Sequence, residues 1–366
     1  MFKRAFKNMD KPLLVATLLL TIAGVMVLYA TTVKAAGVGT DVDAQNQLIF
    51  AIAGFSALMA VTVIDYRLWM RLAGIAYLGS VALLVLVDVA GQTALGAQRW
   101  IDIGFFRFQP SEVVKVVLIL VLAKLLSQNY DRLEQPKYLL QSILLTGVPV
   151  ALVLVQPDLG TALVLMVIWF MMILVSPIPK GYILALAVAG LLLVPIGLQF
   201  LQPYQQDRLT TFINPASDPL GRGFNVVQAS IAVGSGQMYG RGLASGSQSQ
   251  LNFLPSQHTD FIFAVLAEKL GFVGAFLILA LFTLLVARMI IVAYRSRDRF
   301  GMFVAVGIAA MFLFHILVNV GMNMGIMPVT GIPLPFISYG GTSLIVALAA
   351  IGLVQSVAVR HKKISF

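Results

Sequence analysis

Apolar residues gather in ten runs along the chain, at about 12–33, 46–64, 72–90, 111–128, 138–156, 158–176, 181–201, 260–293, 301–324 and 338–359. Each run approaches or exceeds the roughly 20 residues that a helix needs to cross the hydrocarbon core of a bilayer. None shows the strict alternation of a half-exposed strand. The pattern predicts an all-α polytopic integral membrane protein with about ten transmembrane helices and both termini on one side. The longest polar stretch, 202–259, precedes the eighth helix. Inside it, 223–238 reads as an amphipathic helix whose apolar side carries Phe224, Val227, Ile231 and Val233. No internal repeat interrupts the pattern, so 1–366 reads as a single membrane domain.

Composition narrows the class. Hydrophobic residues make up 59% of the chain and charged residues 11%, against about 25% charged in a soluble domain. A soluble globule, a disordered chain and a coiled coil are excluded. The net charge of +10 would suggest nucleic acid in a soluble protein. Here most Lys and Arg fall on the side of the two termini, which the positive-inside rule makes cytoplasmic. The loop 202–259 is then extracytoplasmic, and no nucleic-acid partner is expected. Lys3, Arg4, Lys7 and Lys11 ahead of an apolar run resemble a signal peptide, but 12–33 is too long for one and reads as a retained first helix. With no Cys there is no disulfide, thiol or Cys-metal chemistry. The three His (His258, His315, His361) lack metal-motif spacing.

The outer side carries the candidate chemistry. Helix four opens at Pro110-Ser111-Glu112, with Lys115 one turn on and sharing a face with Glu112. Glu112 suits a helix N-terminus, whereas Lys115 opposes the dipole there. An intramembrane ionisable pair is either functional or a packing lock. Arg99 and Arg107, with Lys115, form a cationic set suited to an anionic headgroup. Asp158, in Gln156-Pro157-Asp158, either caps helix six or binds substrate or metal. Thr259 or Asp260 reads as the N-cap of helix eight. Glu268 follows Asp260 by eight residues, so both can share a helix face. An acid there is placed to act as general base or metal ligand. A helix N-terminus would lower the pKa of Asp260, and a dry cavity would raise it. The Pro- and Gly-rich stretch 331–341 cannot be a regular helix and reads as a cavity wall. His315, Asn319 and Asn323 form a polar stripe suited to interhelical hydrogen bonds.

These motifs resemble the SEDS family (shape, elongation, division, sporulation). The likeness rests on Gly96-Ala97-Gln98-Arg99-Trp100, Phe108-Gln109-Pro110-Ser111-Glu112, Gln156-Pro157-Asp158-Leu159-Gly160-Thr161, His258-Thr259-Asp260-Phe261-Ile262-Phe263-Ala264 and Pro333-Leu334-Pro335-Phe336-Ile337-Ser338-Tyr339-Gly340-Gly341. They occur in family order across essentially the whole chain. Gln248-Ser249-Gln250-Leu251 before Phe253-Leu254-Pro255 resembles the elongation branch. Lys269 stands where relatives often carry a second acid, which puts a two-carboxylate role for Glu268 in doubt.

The resemblance implies a peptidoglycan glycosyltransferase of the bacterial cytoplasmic (inner) membrane. It would polymerise lipid II, an undecaprenyl-pyrophosphate-linked disaccharide-pentapeptide, at the outer face during elongation and rod-shape maintenance. Its implied partners are a cognate class B penicillin-binding protein, a transpeptidase, and other rod-complex morphogenetic proteins. The family's catalytic Asp maps onto Asp260. Arg99, Arg107, Glu112, Lys115, Asp158, His258 and Glu268 are the substrate- and pyrophosphate-binding candidates. Mg²⁺ or Mn²⁺ is a candidate cofactor, held by Asp260 or Asp158, and no organic cofactor is expected. The rival readings are a lipid II flippase and a non-catalytic scaffold of the elongation complex.

Overall fold

The computed structural model describes residues 8–32, 42–90, 92–94, 97–102, 104, 107–199, 203–214, 222–243, 246, 249, 254 and 256–360. The described helices are α1 (Lys11–Thr32), α2 (Val42–Val63), α3 (Tyr66–Ala90), α4 (Pro110–Gln128), α5 (Pro136–Val155), α6 (Leu159–Val175), α7 (Lys180–Gln199), α8 (Pro203–Ile213), α9 (Arg222–Ser235), α10 (Ile262–Tyr294), α11 (Arg299–Asn323) and α12 (Gly341–Arg360). Ten of these stand at the ten apolar runs. Seven are long and apolar enough to cross a membrane: α1, α2, α3, α5, α10, α11 and α12. Leu159–Val175 and Lys180–Leu192 are shorter apolar stretches, and the continuous helix α4 carries the charges Glu112, Lys115 and Lys124.

The basic ends of the helices meet at one end of the bundle. Asp10 pairs with Arg288, Asp65 with Arg360, Arg67 with Asp298 and Asp131 with Arg299. These contacts tie together the starts of α1, α3 and α11, the turn between α4 and α5, and the ends of α10 and α12. Helix α11 runs through the middle, and eighteen of its residues are buried, including Phe303, Ile308 and Phe312.

Several local features depart from the sequence pattern. The loop after α3 holds a small antiparallel sheet, β1 (Gln92–Ala94), β2 (Ala97–Asp102) and β3 (Arg107–Phe108), in that order. Its strands are too short to leave a periodic signal. Helix α8 lies in a stretch read as loop. Helix α9 forms where the amphipathic segment was expected, but on a different face. Val226, Ala229 and Ala232 are buried, whereas Val227 and Ile231 are 43% and 45% exposed. Small side chains let α9 lie close against α10, and that contact outweighs the size of the side chains on the other face.

Helix α10 is broken at Gly271, whose φ of 68° suits glycine alone. The break frees backbone groups at membrane depth, where none can be left unpaired. The segment 237–242 supplies the partners. Phe272 N donates to Gln237 O at 2.7 Å and Val273 N to Met238 O at 3.1 Å. Arg241 N donates to Glu268 O at 2.9 Å and Gly242 N to Lys269 O at 3.1 Å. A Cβ on Gly240 would overlap the Lys269 carbonyl. The long loop is thus sewn into the eighth apolar run.

Candidate active site

At the end of the bundle opposite the basic ion pairs, the helices surround a cavity of about 1470 Å³. Six sequence candidates line it: Arg99, Arg107, Glu112, Lys115, Asp158 and Asp260. Distant parts of the chain bring them together. β2 carries Arg99, β3 carries Arg107, and the first two turns of α4 carry Glu112 and Lys115.

Helix α4 starts at Pro110, whose missing N–H costs nothing at the first helical position. The Glu112 carboxylate does not cap the helix but accepts from Lys115 Nζ at 2.8 Å. Lys115 Nζ also lies 3.3 Å from His315 Nε2, and His315 Nδ1 lies 3.2 Å from Pro333 O. The partners fix the tautomer: Nε2 accepts from the ammonium, and Nδ1–H donates to the carbonyl. Asp158 is both cap and cavity wall. Its Oδ1 accepts from Thr161 N at 3.1 Å and its Oδ2 from Thr161 Oγ1 at 2.9 Å. Arg99 holds the same turn, donating to Gln156 O at 2.9 Å and to Pro157 O, with Asp158 3.7 Å away.

Asp260 sits in the turn 256–260, just ahead of α10. The N-cap is Phe261, with no side-chain cap bond, so neither Thr259 nor Asp260 caps this helix. The carboxylate of Asp260 is therefore not spent on a cap bond. Burial pushes its pKa up from the usual carboxylate range, while Arg208 and the Thr259 hydroxyl oppose the shift. The side chain is half-buried and faces the cavity, so water there blunts the effect of burial. The Asp260 carbonyl is pinned by Asn319 Nδ2 at 3.2 Å and Asn323 Nδ2 at 2.9 Å.

The stretch 324–340 is non-helical, as its prolines and glycines require, and lines the cavity from Thr330 to Pro333 and from Tyr339 onward. Side chains from elsewhere satisfy several of its carbonyls, while the Thr330 hydroxyl is buried without a partner. Arg208 donates to Thr330 O at 3.1 Å, Asn319 to Ile332 O at 2.8 Å and Gln47 to Ser338 O at 3.1 Å. Ser338 Oγ donates to Thr259 O at 2.7 Å, tying this wall to the turn of Asp260. The polar stripe on α11 thus serves mainly this irregular wall. Its bonds to neighbouring helices are Lys115 Nζ to His315 Nε2, at 3.3 Å, and Ala264 N to Asn323 Oδ1, at 3.0 Å.

Two candidates do not line the cavity. His258 Nδ1 lies 3.2 Å from Thr31 Oγ1, and its carbonyl accepts from Tyr339 N at 2.8 Å. Burial pushes its pKa down, and nearby Asp43 opposes that. Glu268 is fully buried and accepts from Ser249 N at 3.0 Å. Its neighbour Lys269 donates to Ala30 O at 2.9 Å and Leu243 O at 2.8 Å. Both charges on α10 fasten the long loop. Conversely, Arg208, Asp43 and Asp102 line the cavity and carried no recognisable motif. Arg208 could be found only by seeing α8, which a polar segment conceals.

A family model described as a cell cycle protein, covering FtsW, RodA and SpoVE, matches residues 10–363. The chain belongs to this family, the SEDS family. It is a multi-pass inner-membrane protein. It is 38% identical to the peptidoglycan glycosyltransferase MrdB of Escherichia coli K12 over 358 residues, covering 97% of this chain and 96% of that one. It is 33% identical to the peptidoglycan glycosyltransferase RodA of Treponema pallidum over 432 residues, covering 98% and 99%. Among solved structures, a chain of a peptidoglycan synthase complex superposes with a TM-score of 0.80 at 34% identity, covering 96% and 98%. The rod shape determining protein RodA of Thermus thermophilus gives 0.70 at 30% identity, covering 96% of each chain.

Proposed function

We propose that this family member, a peptidoglycan glycosyltransferase, joins lipid II units in the cavity at the outer face of the membrane. The observation that carries the reading is the meeting of Asp260 with Arg99, Arg107, Lys115 and Arg208 around one space. Glycan extension needs a base for the acceptor sugar hydroxyl and charge stabilisation for a leaving lipid pyrophosphate. Asp260 takes the proton, a role worth about 10²–10⁴ in rate. Its upward-shifted pKa suits a base better than an ordinary carboxylate would. The four cations receive the charge that develops on the pyrophosphate. Glu112 and His315 hold Lys115 in place, and Asp158 and the 156–158 turn hold Arg99.

The cavity is not net positive. Asp43, Asp102, Glu112, Asp158 and Asp260 line it against those four cations. A pyrophosphate entering this space needs further positive charge. Magnesium commonly binds through one or two carboxylates plus substrate phosphates, without a full protein cage. No group of three or more metal-ligating side chains exists among the described residues. Asp260, with Asp158 close enough to influence its titration, suits the two-carboxylate mode. In that alternative Asp260 is a ligand rather than the base, and Mg²⁺ or Mn²⁺ held there would neutralise pyrophosphate charge. The partner in this reading is a class B penicillin-binding protein, which crosslinks the strands, within the wider rod complex.

Labelled lipid II given to the purified chain, alone and with its transpeptidase, tests the reading. Wild type makes glycan strands under at least one of these conditions, and Asp260→Asn makes none while still binding lipid II. Strands from the variant would remove Asp260 from the chemistry. Lipid II crossing liposomes without strand formation would replace polymerisation by transport.

A further inference from the structure

We propose that the basic end of the bundle holds a second site, for the phosphodiester headgroup of an anionic phospholipid of the inner leaflet. A cavity of about 390 Å³ opens there between three helix ends. Arg67 and Met70 of α3, Ser127 and Gln128 of α4, and Asp298, Arg299 and Phe300 at the start of α11 line it. It is distinct from the outer cavity: Ser127 lies twelve residues along α4 from Lys115, about 18 Å at 1.5 Å per residue.

The chemistry points to a phosphodiester. Two guanidinium groups from different helices face one space, and each is already oriented. Arg299 lies 3.7 Å over the Tyr130 ring and 3.0 Å from Asp131. Arg67 is held 3.2 Å from Asp298. Both keep about half their side-chain surface exposed, 52% for Arg67 and 47% for Arg299. A guanidinium has five N–H donors, so these contacts leave donors for an oxyanion. The two competing acids are weak rivals. Asp298 already accepts from Gly301 N, Tyr66 Oη and Arg67. Asp131 is 83% exposed, so water screens its hold on Arg299.

The setting favours a lipid over a free phosphate. Residues 66–67, 127–128 and 298–300 are the ends of apolar helices, so the cavity lies at headgroup depth. The positive-inside rule puts this face toward the inner leaflet, whose anionic lipids attract Lys and Arg. Met70 and Phe300 give the cavity apolar walls that a soluble anion would not use. Leu68 and Leu72 continue along α3, 43% and 40% exposed, as a surface for acyl chains. Arg71, one turn from Arg67 and exposed, adds positive charge beside the site.

The test is native mass spectrometry of the full chain in neutral detergent with phosphatidylglycerol, phosphatidylcholine or glycerol 3-phosphate added. Wild type retains phosphatidylglycerol at least about tenfold better than phosphatidylcholine, and glycerol 3-phosphate does not displace it. The variant Arg67→Gln/Arg299→Gln loses about thirtyfold in phosphatidylglycerol affinity, the loss expected for two arginines near an anionic headgroup. The control Arg295→Gln/Arg297→Gln removes equal charge from the exposed turn on the same face and loses much less. The substitution Gln128→Glu, at an exposed position, also weakens retention. It decides the matter if the double variant fails to fold. Absence of lipid preference in wild type, equal losses in both double variants, unchanged retention in Gln128→Glu, or full displacement by glycerol 3-phosphate would each overturn the proposal.

Discussion

Replacing Lys115 by methionine removes a charge from the floor of the outer cavity while keeping most of the side-chain length. Lys115 is 2% exposed and Glu112 7%, and they meet at 2.8 Å. In Lys115→Met the Glu112 carboxylate stays buried without its cation, and His315 Nε2 loses its donor. Removing one partner of a buried pair costs about 3–5 kcal/mol. That is a large share of the roughly 5–15 kcal/mol by which domains are stable. Thermal unfolding in detergent should show a marked fall in apparent Tm. The double variant Glu112→Gln/Lys115→Met removes both charges and should recover most of that loss, because a buried pair as a whole contributes little net stability. Activity should not return with stability. Loss of one preorganised charge at the leaving group costs about 10²–10³ in rate. Glycan strands from labelled lipid II should therefore stay scarce in both variants. Recovery of strand formation alongside stability in the double variant would make the pair a packing lock and refute its catalytic assignment.

The raised pKa of Asp260 has two measurable consequences. The group must be ionised to act as base, so the acid limb of kcat/KM lies above the ordinary carboxylate range, and Arg208→Gln moves it higher by removing an opposing cation; a limb unmoved by Arg208→Gln counts against Asp260 as the base. A folded-state pKa above the unfolded value favours the fold at low pH and disfavours it once the group ionises, so Asp260→Asn should be more thermostable than wild type near neutrality, with the difference vanishing in acid; an equal gap at both pH values would refute the burial argument. Asn323→Leu leaves the Asp260 carbonyl and Ala264 N short of partners, at about 1–3 kcal/mol, and should lower kcat more than it raises KM if Asn323 positions Asp260. Gly240→Ala should displace the long loop from the α10 break, read as faster proteolysis within 236–250; unchanged cleavage would mean that the close approach is not needed.

The ten apolar helices were legible because apolar content alone decides whether a segment can enter a bilayer, and their bounds follow the runs to within a few residues at most ends. Helix α3 is an exception: it begins at Tyr66, ahead of the run at 72, because Arg67 and Arg71 at the headgroup level do not stop a helix. The short elements escaped for a common reason. β1 to β3, α8 and the buried face of α9 owe their form to tertiary neighbours rather than to periodicity. The six cavity residues were legible as charges that an apolar chain should not carry without use. Arg208 was not, because a cation in a polar loop is unremarkable until the loop folds back over the site.

Asp260 and Glu268 show where such reading has to stop. Eight residues apart, they fall on one face of an unbroken helix, and that spacing makes both candidates for one site. The argument assumes a helix running through both. The helix begins only at Ile262, so Asp260 belongs to the preceding turn and the periodicity does not reach it. Three residues beyond Glu268, the break at Gly271 opens the backbone to segment 237–242 of the long loop. Glu268 and Lys269 then have partners at hand that an unbroken transmembrane helix would deny them: Ser249 N for one, and the carbonyls of Ala30 and Leu243 for the other. An ionisable side chain within an apolar run must either find fixed partners or face water. Glu268 does the first and Asp260 the second. That difference, invisible in their spacing, makes one a fastening for the loop and leaves the other facing the cavity, where the proposed base has to stand.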